Sequence, residues 1–94
     1  MVQNVNNIII STLKEFNPER IGIFGSFARN ENTPTSDLDI LVKFKDGISL
    51  LQLIKLENSL SEKLNVKVDL VTEGAISNKK LKEYIQKDLR IIYE

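Results

Sequence analysis

The chain has no cysteine and no histidine among its 94 residues. Without cysteine there is no disulfide and no thiolate metal site. Without histidine the commonest general base and the commonest zinc ligand are missing. Any catalysis must therefore run on carboxylates, hydroxyls, lysine, arginine and a hard metal ion. Charge of one sign is also lacking, with Lys plus Arg 13 and Asp plus Glu 13. That balance argues against a nucleic-acid binder that relies on bulk positive charge. It still permits a bound nucleotide, because one magnesium ion can supply the charge locally. Long hydrophobic runs are absent too, and Met1-Val2-Gln3-Asn4 lacks a basic segment followed by an apolar one. No signal peptide or membrane span is read, and a cytoplasmic protein is expected.

What is present is an ordinary globular composition, 41% hydrophobic and 28% charged, on a length that suits one small domain over 1–94. Val5, Ile8, Ile9, Leu13 and Phe16 recur at helical spacing, so a helix is expected from about Val2 to Phe16, closed by Asn17-Pro18. A strand follows over Arg20–Phe24, then a short helix over Ser26–Arg29 and a polar loop with Pro34. A second strand is expected over Asp37–Phe44, a long amphipathic helix over Ile48–Leu64 and a third strand over Lys67–Val71. Ser77 or Asn78 can cap a helix ending near Lys87, with Leu81, Tyr84 and Ile85 inward, and Leu89–Tyr93 reads as a last strand. The fold class expected is α+β, a small mixed sheet with helices packed on one face.

The chemistry concentrates in Phe24-Gly25-Ser26-Phe27-Ala28-Arg29 and Ser36-Asp37-Leu38-Asp39-Ile40-Leu41-Val42. On a strand, residues i and i+2 share a face roughly 6.5–7 Å apart. Asp37 and Asp39 therefore point one way while Leu38, Ile40, Val42 and Phe44 point the other. Asp69 has the same relation to Val68 and Leu70 on the third strand, and shared apolar faces would bring it out beside the first two. Carboxylate oxygens suit hard cations, and a Gly-Ser turn offers N–H groups and a hydroxyl to phosphate oxygens. A lone Asp-x-Asp more often marks the solvated face of a strand. Three carboxylates on one face repel each other unless a cation joins them, and this raises the weight of the magnesium–triphosphate reading. Arg29 is balanced between a phosphate contact and an ion pair with an acidic neighbour. Lys43 is read as solvated, Tyr84 as packing, and Ser36 as fixing the turn before Asp37.

Gly25-Ser26-x-Ala28-Arg29, Ser36-Asp37-x-Asp39-x-x-Val42 and the later strand Asp69 together resemble the minimal nucleotidyltransferase (MNT) domains of the DNA polymerase β-like superfamily. The likeness runs over nearly the whole chain. One departure is Asn30, where many relatives carry glycine. The resemblance implies the nucleotidyltransferase fold and an Mg²⁺-dependent enzyme. Gly25, Ser26 and Arg29 would bind ATP, and Asp37, Asp39 and Asp69 would hold metal, with two ions about 3.5–4 Å apart. Asp69 would alternatively take the acceptor's proton. It further implies an antitoxin paired with a HEPN-domain toxin, to whose tyrosine AMP passes. Two alternatives stand beside this reading. One is a non-catalytic module that neutralises its partner by contact, and the other is transfer to a small-molecule hydroxyl.

Overall fold

The computed structural model describes residues 2–94, with side chains from Asn4 onward. Met1, the first residue of the stretch weighed above as a targeting segment, lies outside the described residues. Helix α1 spans Val2–Leu13 and tightens into a 3₁₀ turn over Lys14–Phe16. Asn17 then takes the left-handed conformation, φ 59°, and its N–H reaches the Lys14 carbonyl at 3.3 Å. Pro18, which cannot continue the helix, opens β1, Pro18–Phe24.

β1 runs antiparallel to β2, Leu38–Phe44, with Ile21 opposite Val42 and Phe24 opposite Asp39. β2 runs parallel to β3, Val68–Thr72, pairing Leu38 with Val68, Asp39 with Asp69 and Ile40 with Leu70. A parallel pair needs a crossover, and α2, Leu50–Leu64, supplies it. Ser49 and Gln52 close a capping box at its start, and left-handed Asn65 ends it. β4, Arg90–Tyr93, lies antiparallel on the free side of β1, so the mixed sheet has the order β3-β2-β1-β4. The β3 edge is closed by α2: Ser61 Oγ accepts the Val68 N–H at 3.0 Å and Glu57 Oε2 accepts the Leu70 N–H at 2.8 Å. The Val68 and Leu70 amides are thereby withheld from other strands.

The α+β class and the mixed sheet are as expected, and the main core is the alternating face. Ile21, Leu38, Ile40, Val42, Val68 and Leu70 pack there with Ile9, Leu13, Leu56 and Leu60 of α1 and α2. The expectation of helices on one face holds for α1 and α2 and needs correcting for α3, Lys79–Asp88. Its Ile85, 2% exposed, joins Phe24 and Leu41 in a second cluster with Val71, Ile76 and Leu89. Phe24, Leu41 and Val71 have the opposite parity on their strands, so α3 covers the outer face where those apolar residues require it. Asn78 caps it, accepting from Lys80 and Leu81 N–H. Only Ile85 of the three expected inward residues is buried, for Leu81 is 46% and Tyr84 52% exposed. No helix among the described residues is long and apolar enough to cross a membrane.

Candidate active site

The helix expected over Ser26–Arg29 is a single turn. Gly25 leaves β1 at φ 75°, a conformation that glycine adopts without steric cost. The Arg29 N–H bonds the Gly25 carbonyl at 3.2 Å. The Glu31 N–H then reaches back to the Ser26 carbonyl at 2.9 Å, and the Asn30 N–H to Phe27 at 3.2 Å. These are the two bonds of a Schellman closure, with left-handed Asn30 (φ 59°) in the place usually held by glycine. Asparagine is the side chain that tolerates this conformation next best, so the departure at Asn30 leaves the turn intact.

The acidic residues meet this turn from the side. A Cβ on Gly25 would collide with the Asp39 carboxylate, so glycine is needed there for space as well as for φ. Asp39 and Asp69 are register partners on parallel strands, which lie about 4.8 Å apart. Asp37 stands just before β2 rather than within it, half exposed, with Lys67 Nζ 4.0 Å from its Oδ2. Ser36 fixes the approach as expected, its Oγ accepting the Thr33 N–H at 2.8 Å. Asp39 is half-buried and its carboxyl is pushed up to about 6, first by desolvation and then by the charges of Asp69 and Asp37. The Asp39 carboxyl thus feels the charge of both neighbours. Among the described residues no three acidic side chains are already drawn together as a metal-holding group. The donor set is nonetheless all oxygen, the chemistry a hard cation requires, and the mutual repulsion registered at Asp39 is what such a cation would relieve.

Arg29 is engaged with protein. Its Nε donates to Glu31 Oε1 at 3.0 Å and its Nη1 to Asp88 Oδ2 at 2.7 Å. Lys43 is 3.4 Å from Glu19. Two charged partnerships escaped the reading of the sequence, Arg29 with Asp88 and Arg20 with Glu73. Each joins residues more than fifty positions apart, and neither leaves a local pattern. A cavity of about 160 Å³ lies on the outer face among Arg20, Leu41, Glu73, Ile76, Ile85 and Leu89, and none of the three aspartates lines it.

The structure thus sets a Gly-Ser turn beside two register-paired strand aspartates on a mixed sheet of order β3-β2-β1-β4. The nucleotidyltransferase domain model matches residues 7–92, and the chain belongs to that family. It is 54% identical over 78 residues to MJ0126 of Methanocaldococcus jannaschii, named as a candidate protein adenylyltransferase, covering 82% of this chain and 80% of that protein. It is 37% identical over 81 residues to the protein adenylyltransferase MntA of Thermococcus cleftensis, covering 82% of each. A solved complex of tri-AMPylated Shewanella oneidensis HEPN toxin with MNT antitoxin contains a chain of the same fold. There the TM-score is 0.81 at 24% identity, over 99% of this chain and 72% of that one.

Proposed function

We propose that this chain transfers AMP from ATP to a hydroxyl of a partner protein, a tyrosine of a HEPN toxin, and so acts as its antitoxin. The observation that carries the reading is the approach of the Asp39 carboxylate to Gly25, close enough to leave no room for a Cβ there, with Asp69 beside it in register. The names of the relatives above, two protein adenylyltransferases and an MNT antitoxin complexed with its AMPylated toxin, support the acceptor class.

In this proposal the N–H groups of the turn and the Ser26 hydroxyl bind the β and γ phosphates, where Gly25 lets backbone and anion approach closely. Arg29 secures the turn. Mg²⁺ held by Asp37, Asp39 and Asp69 would neutralise charge on the triphosphate and on the leaving pyrophosphate. The acceptor oxygen attacks the α-phosphorus in line, the bond from that phosphorus to the bridging oxygen breaks, and pyrophosphate leaves. Where Asp69, exposed at the outer face, is not spent on the metal, it takes the hydroxyl proton instead.

The test is incubation of the chain with Mg²⁺, α-labelled ATP and a HEPN-domain toxin. The matched control is the Asp37→Ala/Asp39→Ala variant. Label on the partner with wild type, lost with the variant, is expected. A stable complex without label, formed equally by the variant, would replace transfer with neutralisation by contact.

A further inference from the structure

The turn carrying Gly25 and Ser26 closes on itself through its Schellman bonds, but those bonds do not fix it against the rest of the molecule. Ala28 seats it in the main core, and the junction between α3 and β4 adds the polar contacts. Asp88, the last residue of α3, receives Arg29 Nη1 at 2.7 Å with its own side chain only 13% exposed. Two residues on, Arg90 Nη1 donates to the Ala28 carbonyl at 3.4 Å. Two contacts from one junction therefore grip two consecutive residues of the turn.

Asp88 is badly placed for α3 itself. A carboxylate at a helix C-terminus faces unpaired carbonyls and the negative end of the dipole, where a cation is favoured. One largely withdrawn from water is costly unless paired. Arg29 supplies the pairing, and with Glu31 on its Nε the planar guanidinium is held along two edges. A phosphate-binding turn ordered in advance avoids the entropy of being ordered by its ligand.

We propose that Asp88 is a positioning residue for nucleotide binding. Acting through Arg29, it holds the Ser26 hydroxyl and the N–H groups of the turn toward the triphosphate without touching it. The inference rests on the nucleotidyl-transfer reading above. Asp88→Asn keeps shape and removes the charge. It is expected to raise the KM for ATP about tenfold while kcat stays within about twofold, because the reacting groups are untouched. In an Arg29→Gln background the same substitution adds nothing further, since the pair is already broken. Asp88→Glu recovers part of the loss.

A fall in thermal midpoint with KM unchanged would overturn the proposal, leaving a structural ion pair. A lower KM would overturn it as well, since Asp88 would then be withholding Arg29 from phosphate. Should Asp88→Asn not fold, Arg29→Lys keeps the charge and loses the fork, and the same split is read there. Titration with Mg²⁺ and AMP-PNP separates the two readings. If wild type binds the analogue but transfers nothing, the transfer reading fails alone and the ratio of analogue affinities decides the role of Asp88. If wild type binds no analogue, both fall.

Discussion

Along the outer face of the sheet, Arg20 and Glu73 meet in a two-pronged ion pair, Nε to Oε2 at 2.8 Å and Nη2 to Oε1 at 2.9 Å. Further along that face Asp37, Asp39 and Asp69 have chiefly one another, with a single lysine 4.0 Å from Asp37. The hydrogen bonds from Arg20 hold the Glu73 carboxyl below its usual range. Burial and like charge push the Asp39 carboxyl up to about 6. One end is satisfied by the fold, and the other is left with an imbalance of like charge that the fold itself barely offsets. A fold tolerates such an imbalance where function requires it, at a cost carried elsewhere in the core.

The largest expected effect comes from removing the imbalance. Asp39→Asn should lower AMP transfer by at least about 10²-fold, measured with labelled ATP under saturating Mg²⁺. The same variant should make the metal-free chain more stable at pH 7, by about 1 kcal/mol after allowance for the solvent exposure of the site. Urea denaturation measures this, and an equal or lower midpoint would show that Asp39 is not destabilising the fold.

The pH dependence of that gain sharpens the comparison. The folded chain keeps a proton on Asp39 up to about pH 6, whereas the unfolded chain releases it near ~3.9. Between those values the unfolded state binds fewer protons, so this contribution to stability is present below about pH 4 and lost as pH rises through about 6. The advantage of Asp39→Asn over wild type should therefore grow across that window and vanish at its acid end. Millimolar Mg²⁺ at pH 7 should raise the thermal midpoint of wild type and leave the variant unchanged.

The difference between these two ends was only half legible in the sequence. Asp37, Asp39 and Asp69 announce themselves because each sits beside an alternating apolar strand, and Gly25-Ser26 because a turn is local chemistry. The α1, α2 and strand positions follow from periodicity in the same way. Arg20 and Glu73 carry no such pattern, and their meeting depends on how far β1 and the turn after β3 extend across the sheet. The side taken by α3 was hidden for a related reason. Leu41 interrupts an otherwise polar outward parity, and only with Phe24 and Val71 beside it in the sheet does it become a surface that must be covered. Tyr84 has a core spacing on α3, yet α3 buries little besides Ile85, so the rest of its stripe stays in solvent.

Breaking the satisfied end should act in the opposite sense to Asp39→Asn. Glu73→Gln removes the carboxylate charge, replaces one accepting oxygen with an N–H that cannot accept from Arg20, and leaves Arg20, whose side chain is 34% exposed, to solvent. The expected loss at pH 7 is modest, a few degrees in thermal midpoint at roughly 4–8 °C per kcal/mol for a domain of this size. The sign with pH is reversed. The folded Glu73 carboxyl titrates below the unfolded one, so its contribution is present above the ordinary glutamate range and lost as pH falls through the lower folded value. Thermal melts of wild type and Glu73→Gln should converge in acid. Convergence at neutral pH instead would place the pair among surface contacts of no consequence.

The smallest effect tests the turn that both the acidic end and Asp88 depend on. Asn30 occupies a left-handed position, φ 59°, from which its N–H completes the closure to Phe27. Asn30→Gly removes the steric penalty but frees the unfolded chain, and these two changes nearly cancel, leaving stability within about 0.5 kcal/mol of wild type. Asn30→Ala has no such compensation and should cost about 1 kcal/mol. Transfer activity should follow the same order, because Glu31 is the next residue in that closure and also holds Arg29 Nε. If alanine were tolerated as well as glycine, the left-handed turn would not be what holds Ser26 in place. The grip of Asp88 and Arg90 on Arg29 and Ala28, with Ala28 seated in the main core, would then be what holds it.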